Sequence, residues 1–212
     1  MSKVAGLILA AGASTRMGRP KQLLPIGNSG LLDRVLGETL ESNLDLIILV
    51  LGHEAEKIKG SLKTDPHHPK LKIIKNKNYR NGISSSIISG LLQVEDKYDH
   101  CMVILADMPH ITSRLLNLLL RQYLASPLSL GAIKTKNRRT HPVIIGRRFY
   151  DELHRLKGDV GARDLFMKYP DQICLVEPEE DYKDIDIDTM EDYLGIKKSP
   201  GNVPDSSDPN TP

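Results

Sequence analysis

Stretches of aliphatic residues about as long as a strand alternate along this chain with stretches in which apolar residues recur every three or four positions. Strands are predicted at 4–10, 46–51, 71–75, 101–106, 130–134, 142–145 and 173–176. Their near-continuous Leu, Ile and Val content is that of strands covered on both faces. Between them, Leu32, Val35, Leu36, Thr39 and Leu40 share one face of a helix over 32–41, and Ile87, Ile88, Leu91 and Leu92 share one face of a helix over 84–94. Thr112 precedes the apolar run 115–120 and is placed to cap a third helix. These stripes are core faces. Strands alternating with helices build an α/β domain with a largely parallel sheet and helices on both sides.

Size and charge narrow this picture. With 212 residues, 40% of them hydrophobic, the chain suits one domain over 1–196. Residues 197–212 are expected to form a disordered tail: 200–212 carries four prolines and a single aliphatic side chain, Val203. Lys and Arg number 29 against 27 Asp and Glu, a net charge of +2, which argues against a nucleic-acid-binding face. Any basic site must therefore be local. Cys101 and Cys174 lack metal-ligand spacing and read as two buried thiols in a reducing cytoplasm. No apolar run approaches the roughly 20 residues that span a bilayer, and the apolar start is too short for a convincing signal peptide.

The densest chemistry follows the first predicted strand. Leu9-Ala10-Ala11-Gly12-Ala13-Ser14-Thr15-Arg16-Met17-Gly18-Arg19-Pro20-Lys21 joins small residues, which let backbone approach a ligand, to three cations within six positions. A triphosphate is dense enough in charge to match them. The spacing is neither that of a Walker loop nor that of a dinucleotide fingerprint. Further along, Asn81-Gly82-Ile83-Ser84-Ser85-Ser86 joins a turn to a helix start, and Asp107 follows a strand, at the end where α/β sheets bind ligands. Asp186 and Asp188 belong to a second acidic segment, and carboxylates such as these and Asp107 are the type of hard oxygen donor a Mg²⁺ ion prefers. Two more segments stand out, Thr140-His141-Pro142-Val143 and Gly158-Asp159-Val160-Gly161-Ala162-Arg163.

The string LAAGASTRMGRPKQLLP over 9–25 resembles the pattern LAAGxSxRMGxxKxLLP of nucleotidyltransferases of the molybdenum-cofactor (MobA-like) type, and the other segments follow in that family's order over 3–194. The resemblance implies a three-layer, Rossmann-like, mostly parallel sheet of the nucleotide-diphospho-sugar transferase type. Ala11 and the serines at 84–86 resemble the cytidylyltransferase branch rather than the guanylyltransferase branch. The implied reaction is Mg²⁺-dependent transfer of CMP from CTP to molybdopterin or the molybdenum cofactor, with Mn²⁺ as the alternative metal and pyrophosphate as the by-product.

The implied nucleotide-binding residues are Leu9, Ala10, Ala11, Gly12, Arg16, Lys21, Gly82, Ser84, Ser85 and Ser86. Lys21, Arg16 and Asp107 are the implied catalytic residues, Asp107 and Asp188 the metal ligands, and His141, Asp159 and Arg163 the acceptor side. On this reading Asp186 is as readily a structural residue as a ligand. The loop cations and the carboxylates are expected to meet only across bound metal and nucleotide. Thr140 stands where the family usually has Gly, and Met190 where it often has Pro. Handing on the product implies transient contact with a molybdenum hydroxylase apoenzyme. Alternatives are a GTP-dependent or sugar-phosphate enzyme of the same fold, or a non-catalytic cofactor-delivery protein.

Overall fold

A computed structural model describes residues 2–136, 138–178 and 182–198. The chain begins with β1 (Val4–Ala10), buried along its whole length, followed by a minor hairpin of β2 (Pro25–Ile26) and β3 (Ser29–Gly30). Next come α1 (Leu31–Glu41), β4 (Leu46–Leu51), α2 (Ala55–Ser61), β5 (Leu71–Lys75), α3 (Ile83–Leu91) and β6 (His100–Leu105). The second half comprises α4 (Ser113–Ala125), β7 (Leu130–Thr135), β8 (Arg138–Gly146), α5 (Tyr150–His154), α6 (Arg163–Lys168), β9 (Ile173–Val176) and α7 (Met190–Lys198). The main sheet has the order β5-β4-β1-β6-β8-β7-β9, and only β8 runs against the rest. This is the expected three-layer fold of the nucleotide-diphospho-sugar transferase type.

The period-two alternation of each central strand divides the core. Val4, Ile8 and Ala10 of β1 face a cluster with Val35 and Leu36 of α1 and Leu116 and Leu119 of α4. Ala5, Leu7 and Leu9 face the other cluster, which holds Ile87 and Leu91 of α3, Leu153 of α5 and Phe166 of α6. A third cluster ties Met17, Leu24 and Ile26 to Leu31, Ile187 and Tyr193. It clamps the segment carrying Asp188 against the loop after β1, helped by the Tyr193 hydroxyl, which donates to the Pro25 carbonyl at 2.9 Å. Thr112 caps α4 as expected, its Oγ1 accepting the Leu115 N–H at 3.2 Å.

Some boundaries differ from expectation. The strand expected at 101–106 starts one residue earlier, and the one expected at 142–145 runs from Arg138 to Gly146. The register shows why: Ile133 pairs with Thr140 but Ala132 with Val143, so His141 and Pro142 are extra residues on β8. A bulge accepts proline, which has no N–H for a ladder, and it re-aims side chains at a site. Of the two free thiols expected to be buried, Cys101 is, but Cys174 on edge strand β9 is only half-buried. Among the described residues no helix is long and apolar enough to cross a membrane. The tail at 200–212 lies outside the described residues, and α7 crosses the expected boundary at 196.

Candidate active site

The chain turns from the β4 side of β1 to the β6 side, so a crevice opens at the carboxyl ends of β1 and β6, where doubly wound sheets bind ligands. The loop leaving β1 is shaped by two left-handed residues, Ser14 (φ 52°) and Gly18 (φ 64°). Met17 plugs it into the third cluster. Ser14 Oγ accepts the Lys21 backbone N–H at 3.1 Å, closing the loop and returning Lys21 to the crevice.

There the opposite charges meet directly. Lys21 Nζ lies 2.6 Å from Asp107 Oδ2 and 3.1 Å from Asp188 Oδ1, and an Arg16 guanidinium nitrogen lies 3.2 Å from Asp188 Oδ2. The expectation that these groups meet only across metal and nucleotide is thus corrected. The ammonium and guanidinium satisfy the carboxylates themselves. The backbone enforces the approach, because Ile187 N–H donates to the Asp107 carbonyl at 3.0 Å and brings both acidic segments together. Burial opposes the charge on Lys21, but Asp107 and Asp188 outweigh it and hold its pKa above the ordinary lysine value. Asp188 is partly desolvated, yet Lys21 and Arg16 hold its carboxyl below the usual range. Asp186 is pushed up to about 6 by desolvation and then by the charges of Asp107 and Asp188.

One cavity adjoins this cluster, and a second adjoins that cavity. The smaller, about 230 Å³, is lined by Leu9, Ala10, Ala11, Gly12, Lys21, Gly82 and Ser86 from the expected nucleotide set, by Asp107, and by Gln22 and Tyr79. Arg16, Ser84 and Ser85 do not line it. Arg16 stands exposed beside Asp188, Ser84 is buried, and Ser85 Oγ turns back to the carbonyls of Asn78 and Gly82. The larger cavity, about 640 Å³, collects His141, Asp159 and Arg163 together with Arg138, Arg139 and Phe166. Burial lowers the His141 pKa, against the pull of the Val103 carbonyl and Asp107, so the ring is neutral near pH 7. Gln22, Tyr79 and the arginine pair escaped the sequence reading, and no local signal marks them.

Ile83 and Asp159 border both cavities. Asp159 Oδ1 accepts the Ile83 N–H at 3.1 Å and so holds the start of α3 as well as lining the site. Gly82 permits this join: its φ is +89° and its ψ 179°, and a Cβ there would lie 2.3 Å from the Gly158 carbonyl carbon. Gly82→Ala is expected to destabilise the fold by about 1–3 kcal/mol and to splay the wall between the cavities. An unchanged melting temperature in thermal denaturation would show that the wall tolerates the side chain.

The family model for the MobA-like NTP transferase domain matches residues 6–173. The chain belongs to this family. It is 28% identical over 195 residues to nicotine blue oxidoreductase of Paenarthrobacter nicotinovorans, covering 89% of this chain and 93% of that protein. It is 30% identical over 112 residues to molybdenum cofactor cytidylyltransferase of Escherichia coli strain K12, covering 53% of this chain and 55% of that one. The crystal structure of Rv0371c from Mycobacterium tuberculosis H37Rv superposes with a TM-score of 0.81 at 24% identity, covering 93% of this chain and 98% of that one.

The MobA-like match takes in the loop, Asp107 and the larger cavity but stops short of Asp188, whose place rests on geometry. Among the described residues no three His, Cys, Asp or Glu side chains converge as a ready-made metal cage. A divalent ion would therefore draw on Asp107, Asp188 and oxygens from substrate and water, the ligand set typical of Mg²⁺. The site fits that role in one particular: Asp107 Oδ1 is buried and has no hydrogen-bond partner among the described residues.

Proposed function

We propose that this MobA-like nucleotidyltransferase transfers CMP from CTP to molybdopterin or its metal-loaded form in the cytoplasm. The observation that carries the reading is the ion cluster of Lys21, Asp107 and Asp188 beside the loop-lined cavity, with a second, arginine-bearing cavity across a shared wall. In this arrangement the smaller cavity holds the nucleotide and the larger one the phosphorylated acceptor. An acceptor phosphate oxygen forms a bond to the α-phosphorus, the bond from that phosphorus to the bridging oxygen breaks, and pyrophosphate leaves with the electron pair.

Both reactants are anionic, so catalysis lies in alignment and charge neutralisation, and no covalent enzyme intermediate is needed. Lys21 and Arg16 exchange their carboxylate partners for the β- and γ-phosphates and stabilise the leaving pyrophosphate. Asp107 and Asp188 are the residues that would hold Mg²⁺, or Mn²⁺ in its place. The metal, when bound, supplies positive charge to the phosphate oxygens. Gly82 and Ser86 bound the nucleotide side, while His141 and Arg163 face the acceptor, with Asp159 between them.

Ala11 and the serine segment at 84–86 support CTP as the donor. Pyrophosphate release measured with CTP, GTP and ATP, with and without molybdopterin and Mg²⁺, is expected to be fastest with CTP and to require both additions. A preference for GTP would overturn the base assignment, and turnover with a sugar phosphate but not molybdopterin would overturn the acceptor.

A further inference from the structure

We propose that Gln22 is the positioning residue of the loop after β1, orienting its peptide groups so that free N–H donors are ready for a polyphosphate. The inference rests on reading that loop as the phosphate site. Gln22 is 3% exposed, and its Nε2 donates to two carbonyls, Ala10 O at 3.0 Å and Gly12 O at 3.2 Å. Its Oε1 is buried and has no partner among the described residues. The orientation of the amide follows from the chemistry, since an oxygen in the nitrogen's place would face two carbonyl oxygens. The carbonyl between them, Ala11 O, accepts the His53 backbone N–H at 3.1 Å. Three successive carbonyls are thus held by donors from elsewhere in the chain.

In a trans peptide the carbonyl and the following N–H point in opposite directions. Fixing Ala10 O therefore turns the Ala11 N–H away from Gln22, and fixing Gly12 O does the same for Ala13. The ladder gives the sense of the first. Val4 O accepts from Asp45 on the β4 side, and Leu9 O accepts from Ala106 on the β6 side, so the Ala10 carbonyl continues the β4-facing set. The Ala11 N–H accordingly faces the β6 side, where Asp107 lies. Among the described residues the N–H groups of Ala11, Gly12 and Ala13 have no protein acceptor. Successive free peptide N–H groups form an anion-binding concavity, and donors fixed in advance bind without the cost of ordering a loose loop.

Packing alone does not account for Gln22. The adjoining Leu23 and Leu24 show that the segment can fill space with hydrocarbon. A carboxamide with one oxygen unmatched is a poorer filler than leucine or methionine. What it adds is a pair of N–H donors set to reach both carbonyls.

The test uses the full chain and inorganic tripolyphosphate. Calorimetry is expected to show the wild type binding it, Gln22→Met binding at least tenfold more weakly, and the two melting within a few degrees of each other. In the transfer reaction, the KM for nucleotide should rise in Gln22→Met while that for acceptor stays. Amide NMR of the wild type is expected to show the Ala11 and Ala13 resonances shifting on addition of tripolyphosphate, a readout independent of whether the variant folds. Failure of the wild type to bind tripolyphosphate removes the phosphate-loop reading itself. Binding by the wild type with undiminished affinity in Gln22→Met, or with both amides unmoved, removes the role of Gln22 alone.

Discussion

Replacing Lys21 by alanine is expected to lower nucleotidyl transfer by about a hundredfold, the scale seen when one preorganised donor to a developing negative charge is removed. The ammonium stands between Asp107 and Asp188, and its raised pKa keeps it fully charged at neutral pH. By linkage, the stability it contributes is complete below the ordinary lysine value and is lost only as pH rises through the raised one. Its removal also leaves Asp107, whose side chain is only 18% exposed, without a cation.

The variant should therefore lose about 1–3 kcal/mol of stability yet remain folded well below its melting point. Lys21→Arg keeps the charge but spreads it over a planar fork, so an intermediate rate is expected. Steady-state pyrophosphate release and thermal melts on the same samples separate the two effects. Turnover equal to wild type in Lys21→Ala would remove Lys21 from the chemistry.

The parts of the fold legible in the sequence are those where one local rule acts alone. β1 and β4 are buried on both sides, so their aliphatic runs could be read directly, and Thr112 announced α4 because a cap is a local event. β2 and β3 are two residues each, too short for any period to show. β8 begins with Arg138, Arg139 and Thr140, and its pairing depends on a bulge set by its partner β7.

The site divides in the same way. The loop, Asp107 and Asp188 each stand out by residue type, but their direct contact depends on Ile187 docking against Asp107 across the fold. Ser84 and Ser86 share a helix start with Ser85, yet both are buried, and Asn76 Nδ2 donates to Ser85 and Ser86. Gln22 shows the limit most plainly. Between Lys21 and Leu23 it reads as one polar residue among others, and only the carbonyls of Ala10 and Gly12 reveal what its amide does.

Asp107→Asn is expected to abolish metal-dependent pyrophosphate release, leaving below about 1% of the wild-type rate, a loss of at least 2.7 kcal/mol in transition-state stabilisation. Asparagine keeps the shape of the side chain and an oxygen that Lys21 can donate to, so the local packing survives. What it lacks is the negative charge that a hard divalent ion requires of its ligands.

The position is exacting because Asp107 Oδ2 is engaged by Lys21 while Oδ1 is buried and has no partner among the described residues, whereas Asp188 is more open and shared with Arg16. Asp188→Asn should therefore be the milder variant, with activity partly restored at higher Mg²⁺ or by Mn²⁺. Raising the metal should do little for Asp107→Asn. Activity titrated against Mg²⁺ and Mn²⁺ for both variants, with melting curves to verify folding, makes the comparison. Wild-type activity and an unaltered metal requirement in Asp107→Asn would place the metal elsewhere.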